Sequence, residues 1–425
     1  MKTEVKENTS PAAAETDIEN LPKKKKSRYW QIVIVLTVLT ILLALLGFIP
    51  ALCDLYANNV YIYLCDGIAR ITNLVPFCIG EIVMYLGAAM LLFGVIFLIL
   101  LIFLRKKPKY RRFCGGYFKT FLLMLCCVLF LYMPMWYIPF RSTVLGEGNS
   151  QKRTDFTYDE IYALLEYTVN GAKAAAEEIE IAEDGTVVFP TEEEVNPLIA
   201  DAMRAISDDY TRLKGYYPKV KPAMCSDILE RMWIGGFTYP FTKEATHNKY
   251  LSPTYQPILD AHELAHHKGY YKENEAEFLS QIALTQSDDP LLRLSAFCQM
   301  HSFVWDEYEA TMTAAIEKMY ADGTMERPDV YDKESLEKYF LELQKYFKPE
   351  PCLSQKVFQI MDAGAVIEQE IYEEDSHPID EMPAVNEVIE ETADVGWETQ
   401  GEILQENTYD GVTLLLLQYF DGKLY

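Results

Sequence analysis

Basic side chains are scarce over the last two thirds of this sequence. Residues 141–425 hold 23 Lys/Arg against 55 Asp/Glu, whereas residues 1–140 hold 15 against 8. No basic cluster follows Arg153. Without one a protein cannot neutralise consecutive phosphates and release their counterions, so nucleic-acid binding is excluded. Cysteine is thinly spread as well. None of the nine forms a Cys-x-x-Cys pair, and only Cys225, Cys298 and Cys352 lie beyond residue 140, an odd number that argues against a disulfide framework. Apolar residues, by contrast, are plentiful. At 50% hydrophobic letters, the 425 residues are enough for two or three units and too apolar for a broadly disordered chain.

Three uncharged apolar stretches stand out, at 29–53, 82–104 and 120–140. At about 1.5 Å per residue each can cross roughly 30 Å of hydrocarbon, so each is predicted to be a transmembrane helix seated in a lipid bilayer. A cleaved signal peptide is the other reading of the first, but a 28-residue polar leader precedes it and its apolar run exceeds the usual signal length. Lys23–Lys26 and Arg28 precede the first stretch and Arg105–Arg112 separates the second from the third, while Arg70 alone is basic between the first and second. The positive-inside rule then predicts a multi-pass cell-membrane protein, with the N-terminus and the 105–119 loop cytoplasmic and residues 141–425 extracytoplasmic. Residues 1–28 read as a disordered cytoplasmic tail, and residues 54–80 as an interfacial helix or a loop over the bilayer.

Beyond Arg141 the pattern is mainly helical. Ile161, Leu164, Leu165 and Val169 recur at helical spacing within 158–182. Further helices are predicted at 193–213, 226–232 with Ser226 as cap, 255–268, 273–287, 289–321 and 333–348. Strand signals are confined to 186–189 and to the Gly- and Pro-containing stretch 235–242, which reads as an extended or hairpin segment. From Val357 to Leu424 the only basic residue is Lys423. The acidic segment at about 366–406 reads as a solvated loop or linker, and the apolar run Val412–Phe420 is expected to pack back onto the domain.

The residues with the clearest chemistry are His262-Glu263-Leu264-Ala265-His266. Residues four apart on a helix share a face, so two imidazoles at this spacing can ligate one Zn²⁺. Glu263, one position after the first ligand, is placed to act as general base on the water that such a metal activates, and then to protonate a leaving amine. A catalytic zinc needs a third protein ligand. Gly269 lets the chain turn so that a helix beginning near Glu273 faces the first. Glu273 and Glu277 share one face of that helix; Glu273 is favoured as ligand and Glu277 as the carboxylate orienting an imidazole, with the converse left open.

These residues carry a resemblance. The stretch is similar to the bacterial membrane proteins classed as DUF3810, a zincin-like group of the gluzincin type, which pair N-terminal membrane helices with a His-Glu-x-Ala-His motif, a glycine, and then Glu-x-Glu-Ala. Gly235-Gly236-Phe237, Tyr239–Ala245 and Tyr409-Asp410-Gly411-Val412 add to the likeness, which extends over most of 29–425. It implies a membrane-anchored zincin-like α+β metallopeptidase domain with a small β element, whose third zinc ligand falls on Glu273. His267 stands where glutamine is expected and Glu277 where asparagine is usual.

Hydrolysis of a peptide or protein substrate by zinc-activated water is the function expected from this reading. A non-catalytic zinc-binding or sensing module at the cell surface is the alternative. His267, about 100° round the helix from its neighbour, is expected to be a packing or surface histidine. His247, His301 and Tyr255 are candidates for stabilising an oxyanion, with ordinary packing favoured for each. Glu244 is expected either to line a cleft or to face water.

Overall fold

A computed structural model of the chain describes residues 28–145, 153–375 and 411–425, together with residues 377 and 389. Apart from Arg28, the predicted tail lies outside the described residues, as does most of the acidic segment beyond 375. The described chain is mainly helical.

Helix α1 (Arg28–Leu46) stops seven residues short of the predicted span end. Gly47 packs against the Tyr137 ring with no room for a side chain, and Pro50 starts a new helix because it lacks the N–H needed to continue the old one. The predicted interfacial stretch resolves into α2 (Pro50–Tyr56), a π turn (Ala57–Tyr61) and α3 (Ile62–Thr72). Next come α4 (Ile79–Leu104) and α5 (Pro108–Tyr132), the latter prolonged through a second π turn (Met133–Tyr137) into α6 (Ile138–Phe140). The third span thus begins twelve residues earlier than predicted. Pro108 opens the helix, so Lys109, Arg111 and Arg112 ride on it rather than in a loop. Among the described residues three helices, Arg28–Leu46, Ile79–Leu104 and Pro108–Phe140, are long and apolar enough to cross a membrane.

The remainder builds one helical body with a small sheet. Helices α7 (Tyr158–Glu178) and α8 (Glu192–Ala205) each open on a capping box, Thr157 with Glu160 and Thr191 with Glu194, which satisfies N–H groups the first turn leaves unpaired. Strands β1 (Lys221–Pro222), β2 (Gly236–Thr238) and β3 (Ala245–His247) form a sheet in the order β1-β3-β2, with β1 parallel and β2 antiparallel to β3. The strand expected at 186–189 reduces to a single bridge between Ile181 and Val187, with Val188 exposed. Helix α9 (Ser226–Arg231) is capped at Cys225, not Ser226, whose hydroxyl donates instead to the Ala223 carbonyl.

Helices α10 (Gln256–His267), α11 (Glu273–Thr285) and α12 (Pro290–Ala321) follow, then α13 (Lys333–Leu343), α14 (Gln355–Glu374) and α15 (Val412–Phe420). Helices α7 and α12 pack along each other, and α10 and α11 lie against α12 and α8. Ile161, Leu164, Leu165, Leu264, Leu279 and Met300 meet in the core. The first part of the acidic segment, through Glu374, is helical as the continuation of α14, whose upstream Val357, Ile360 and Gly364 recur on one face and are buried. The predicted return of the terminal run holds: Val412, Leu415 and Leu416 of α15 join the same core.

The body is clamped onto one end of the apolar helices, and onto the segments that join them, by buried polar groups. Lys221 Nζ donates to Glu244 Oε1 (2.6 Å) and to the Thr72 and Phe77 carbonyls. Lys243 Nζ donates to the Met135 carbonyl (2.8 Å) and to the Tyr61 and Tyr271 hydroxyls. Lys268 Nζ donates to Asp66 Oδ1 (2.9 Å). Glu244 accepts from the backbone of Ile79 and Gly80, so a body residue caps the N-terminus of α4. Glu81, on α4, accepts in turn from the backbone of Met224 and Cys225.

Gly269 closes α10 in the left-handed conformation (φ +88°), with Tyr270 N donating back to the Ala265 carbonyl at 3.1 Å. A Cβ here would stand 2.7 Å from the ring of fully buried Tyr61. Left-handed strain and overpacking together predict that Gly269→Ala destabilises the full-length protein by about 2–4 kcal/mol. Thermal unfolding in detergent would show this as a fall in midpoint of several degrees; an unchanged midpoint would contradict the packing described.

Candidate metal centre

The turn at Gly269 brings the first residue of α11 back over the last turns of α10. Glu273 Oε2 lies 3.1 Å from His262 Nε2 and 3.4 Å from His266 Nε2. All three ligand atoms fall within 4.8 Å of one another. Of the carboxylates weighed in the sequence, Glu273 therefore joins both imidazoles, while Glu277 reaches only the far side of one: its Oε2 is 2.9 Å from His262 Nδ1, and its Oε1 accepts from Gln281 at 2.9 Å. Glu275 points elsewhere and accepts from Leu145 N.

The groups behind each ring set its tautomer. His262 Nδ1 faces the Glu277 carboxylate and His266 Nδ1 faces the Tyr270 carbonyl at 2.7 Å, both acceptors, so Nδ1 carries the proton on each ring. Both Nε2 lone pairs then point at the Glu273 oxygen. In the neutral rings these lone pairs and the Glu273 oxygen are three converging acceptor atoms, an arrangement that fits a cation, and protons on the imidazoles can take its place. Burial pushes the Glu273 carboxyl up, but the His266 and His262 imidazoles outweigh it and hold the group well below the carboxylate range. Burial also disfavours charge on His262, yet Glu273 and Glu277 raise it well above the ordinary histidine value.

Glu263 is buried, and its Oε2 lies 2.7 Å from the Thr238 hydroxyl of β2. Burial raises its pKa, with the two imidazoles and Thr238 pulling the other way. The Gly235-Gly236 pair is explained by proximity: a Cβ on Gly236 would meet the Thr246 carbonyl at 2.6 Å and Glu263 Cγ at 3.0 Å. His262, Glu263, His266 and Glu273 line one cleft of about 640 Å³, within the range of small-molecule and peptide sites. A second hollow, of about 650 Å³, lies beside Lys109 and Arg112 at the start of α5, far along that helix from this chemistry.

The other candidates separate cleanly. Tyr255 lines the cleft, and burial pushes its hydroxyl up to about 12. His247 is buried away from it, paired through Nδ1 with Asp260 at 2.8 Å. Although burial disfavours its charge, Asp260 and Glu192 raise it to about 10. His301 stacks on Trp305. His267 is fully buried and its Nδ1 lies 2.9 Å from the Lys243 carbonyl, which makes it the packing histidine expected. Glu244 neither lines the cleft nor faces water; it is the buried cap of α4. Residues not singled out in the sequence complete the site: Thr238 beneath Glu263, Tyr271 stacked near His266, Trp233 at positive φ (55°), and Tyr132 and Trp136 from the third apolar helix. Their aromatic letters read equally well as helix packing.

Fold and site together define a class: a helical protein in which three membrane-length apolar helices carry a docked domain bearing a His-Glu-x-x-His cluster. Within that class, the chain belongs to the family described as Protein of unknown function (DUF3810), whose model matches residues 56–348. The matched span holds the first π turn, α3, the second and third apolar helices and the whole cluster, and ends before α14 and the Tyr409–Val412 stretch. No curated protein and no solved structure matches the chain.

The geometry separates the two glutamates experimentally. The full-length protein is expected to bind one zinc ion, His262→Ala and Glu273→Ala to lose it, and Glu277→Ala to bind about 10–100-fold more weakly. Elemental analysis and chelator competition measure this. A larger loss in Glu277→Ala than in Glu273→Ala would exchange the two roles.

Proposed function

We propose that this chain is a membrane-anchored zinc metallopeptidase of zincin-like fold, with its N-terminus cytoplasmic and residues 141–425 outside the cell membrane. The observation that carries the reading is the convergence of His262 Nε2, His266 Nε2 and Glu273 Oε2 beside the buried carboxylate of Glu263, all on one cleft wall. His262, His266 and Glu273 would hold the zinc, which when bound supplies the Lewis acidity that activates water and polarises a carbonyl.

The protein's own groups account for the remaining steps. Glu263 takes a proton from the attacking water, and its raised pKa suits it to return that proton to the leaving amine. Thr238 holds the carboxylate in one orientation. Strand β2 is the edge of the sheet, and its Gly236 and Phe237 line the cleft, so an extended peptide can add to it through backbone hydrogen bonds. Tyr255, with its hydroxyl protonated, is a donor on the same wall.

Two experiments test the reading. Purified full-length protein with zinc is expected to cleave members of a peptide library, and Glu263→Gln to lose at least about 10²-fold in turnover while keeping its zinc. Equal turnover by both proteins would sink the mechanism, and bound zinc without turnover in the wild type would make the domain a binding or sensing module. For topology, Cys352 is exposed on the body. A membrane-impermeant maleimide should label it on intact cells, with the signal lost in Cys352→Ser; labelling only after lysis would reverse the orientation.

A further inference from the structure

The cleft is not remote from the apolar helices, although more than a hundred residues separate His262 from Phe140 in sequence. Tyr132 and Trp136, on the last turns of the third span, form part of its wall. A ladder of rings runs from that span to a candidate ligand. Tyr132 stacks on Trp136 with centroids 5.3 Å apart, Trp136 lies 5.6 Å from Tyr271, and Tyr271 stacks 6.3 Å from His266. Trp136 also stacks on Phe140 at 4.7 Å. Tyr and Trp at the end of an apolar helix mark the membrane–water boundary. The boundary is located independently by α1, which ends at Leu46 with Gly47 against the Tyr137 ring.

The rest of the lining includes exposed apolar side chains. Trp233 is 83% exposed and held at positive φ, and Phe237 on the edge strand is 48% exposed. An exposed, strained tryptophan beside a catalytic cleft is unexpected on a surface facing only water. The docking is rigid as well: Lys243, which donates to Met135 between Tyr132 and Phe140, also holds Tyr271. The cleft cannot swing away from the boundary without breaking that buried cluster.

We infer that the occupant of this cleft is a peptide segment anchored in the same membrane, taken within a few residues of its own lipid or transmembrane anchor, and not a freely diffusing peptide. The inference rests on the metallopeptidase reading and on the proposed membrane topology. The ring ladder from Trp136 to His266 is crossed by about four extended residues at roughly 3.3 Å each, so the bond acted on lies about four to five residues from the anchor.

The test uses full-length protein in phosphatidylcholine vesicles, with a photo-crosslinking phenylalanine derivative in place of exposed Trp233 and with Glu263→Gln to hold the substrate. One random peptide library is offered in three forms: free, tethered to an acyl chain through five residues, and tethered through a flexible forty-residue spacer. Capture of the short-tether library is expected to exceed that of the free library at least tenfold and that of the long-spacer library several-fold. Trp136→Ala, with its folding verified by gel filtration, should reduce this capture. Equal capture of all three forms, or preference for the free one, overturns the inference. Cleavage is read separately with the wild type. Short-tether capture without cleavage upholds the inference about the occupant and removes hydrolysis, while cleavage of free and tethered peptides alike upholds hydrolysis and removes the inference.

Discussion

The left-handed turn at Gly269 is the constraint on which both the site and its setting depend. It ends α10 immediately after the second histidine and reverses the chain, so that Glu273 returns over the two imidazoles four residues later. It also leaves a bare backbone against which the Tyr61 ring packs. A side chain there would oppose both events together, because the same Cα faces the turn and the docking helix.

Around that turn, buried polar groups do what an apolar interface alone would not. Lys221, Lys243 and Lys268 are all nearly inaccessible, and each reaches carbonyls, hydroxyls or carboxylates of the segments that join the apolar helices. A buried ammonium is costly unless its donors are met, and removing one partner leaves the rest unsatisfied. Such contacts are directional, so they specify one docking pose. Lys243 shows the strain of this arrangement, since burial lowers it to about 7 even with three acceptors around it.

The cluster and the anchor are therefore one mechanical unit. The Tyr271 ring that stacks near His266 also contacts Trp136, and its hydroxyl donates to the Met135 carbonyl. The family match beginning at Tyr56 coincides with this unit: it takes in the first π turn, α3, two apolar helices and the cluster, and leaves α1 and nearly all of α2 outside. In a protein built this way, the position of the cleft is set by the apolar helix whose end forms part of its lining.

Much of this was legible in the sequence wherever a local rule suffices. Twenty consecutive apolar residues demand a span-length helix in any context, and His262, Glu263 and His266 share a neighbourhood because a helix puts them there. Glu273 was reachable through the glycine before it. Span ends were read less well, since Pro50 and Pro108 act through hydrogen bonds lost or spared at single positions. The acidic end of α14 looked like a linker because the residues that bury this helix, Val357, Ile360 and Gly364, precede most of its charges. What only the tertiary structure decided is where the parts meet. Nothing local distinguishes Lys243 or Glu244 from solvated charges, or Trp136 from an interface anchor that touches lipid alone. Met135 lies 108 residues from Lys243, Gly80 lies 164 from Glu244 and Tyr271 lies 135 from Trp136, and burial of a polar group is a property of the assembled fold, not of its neighbours in the chain.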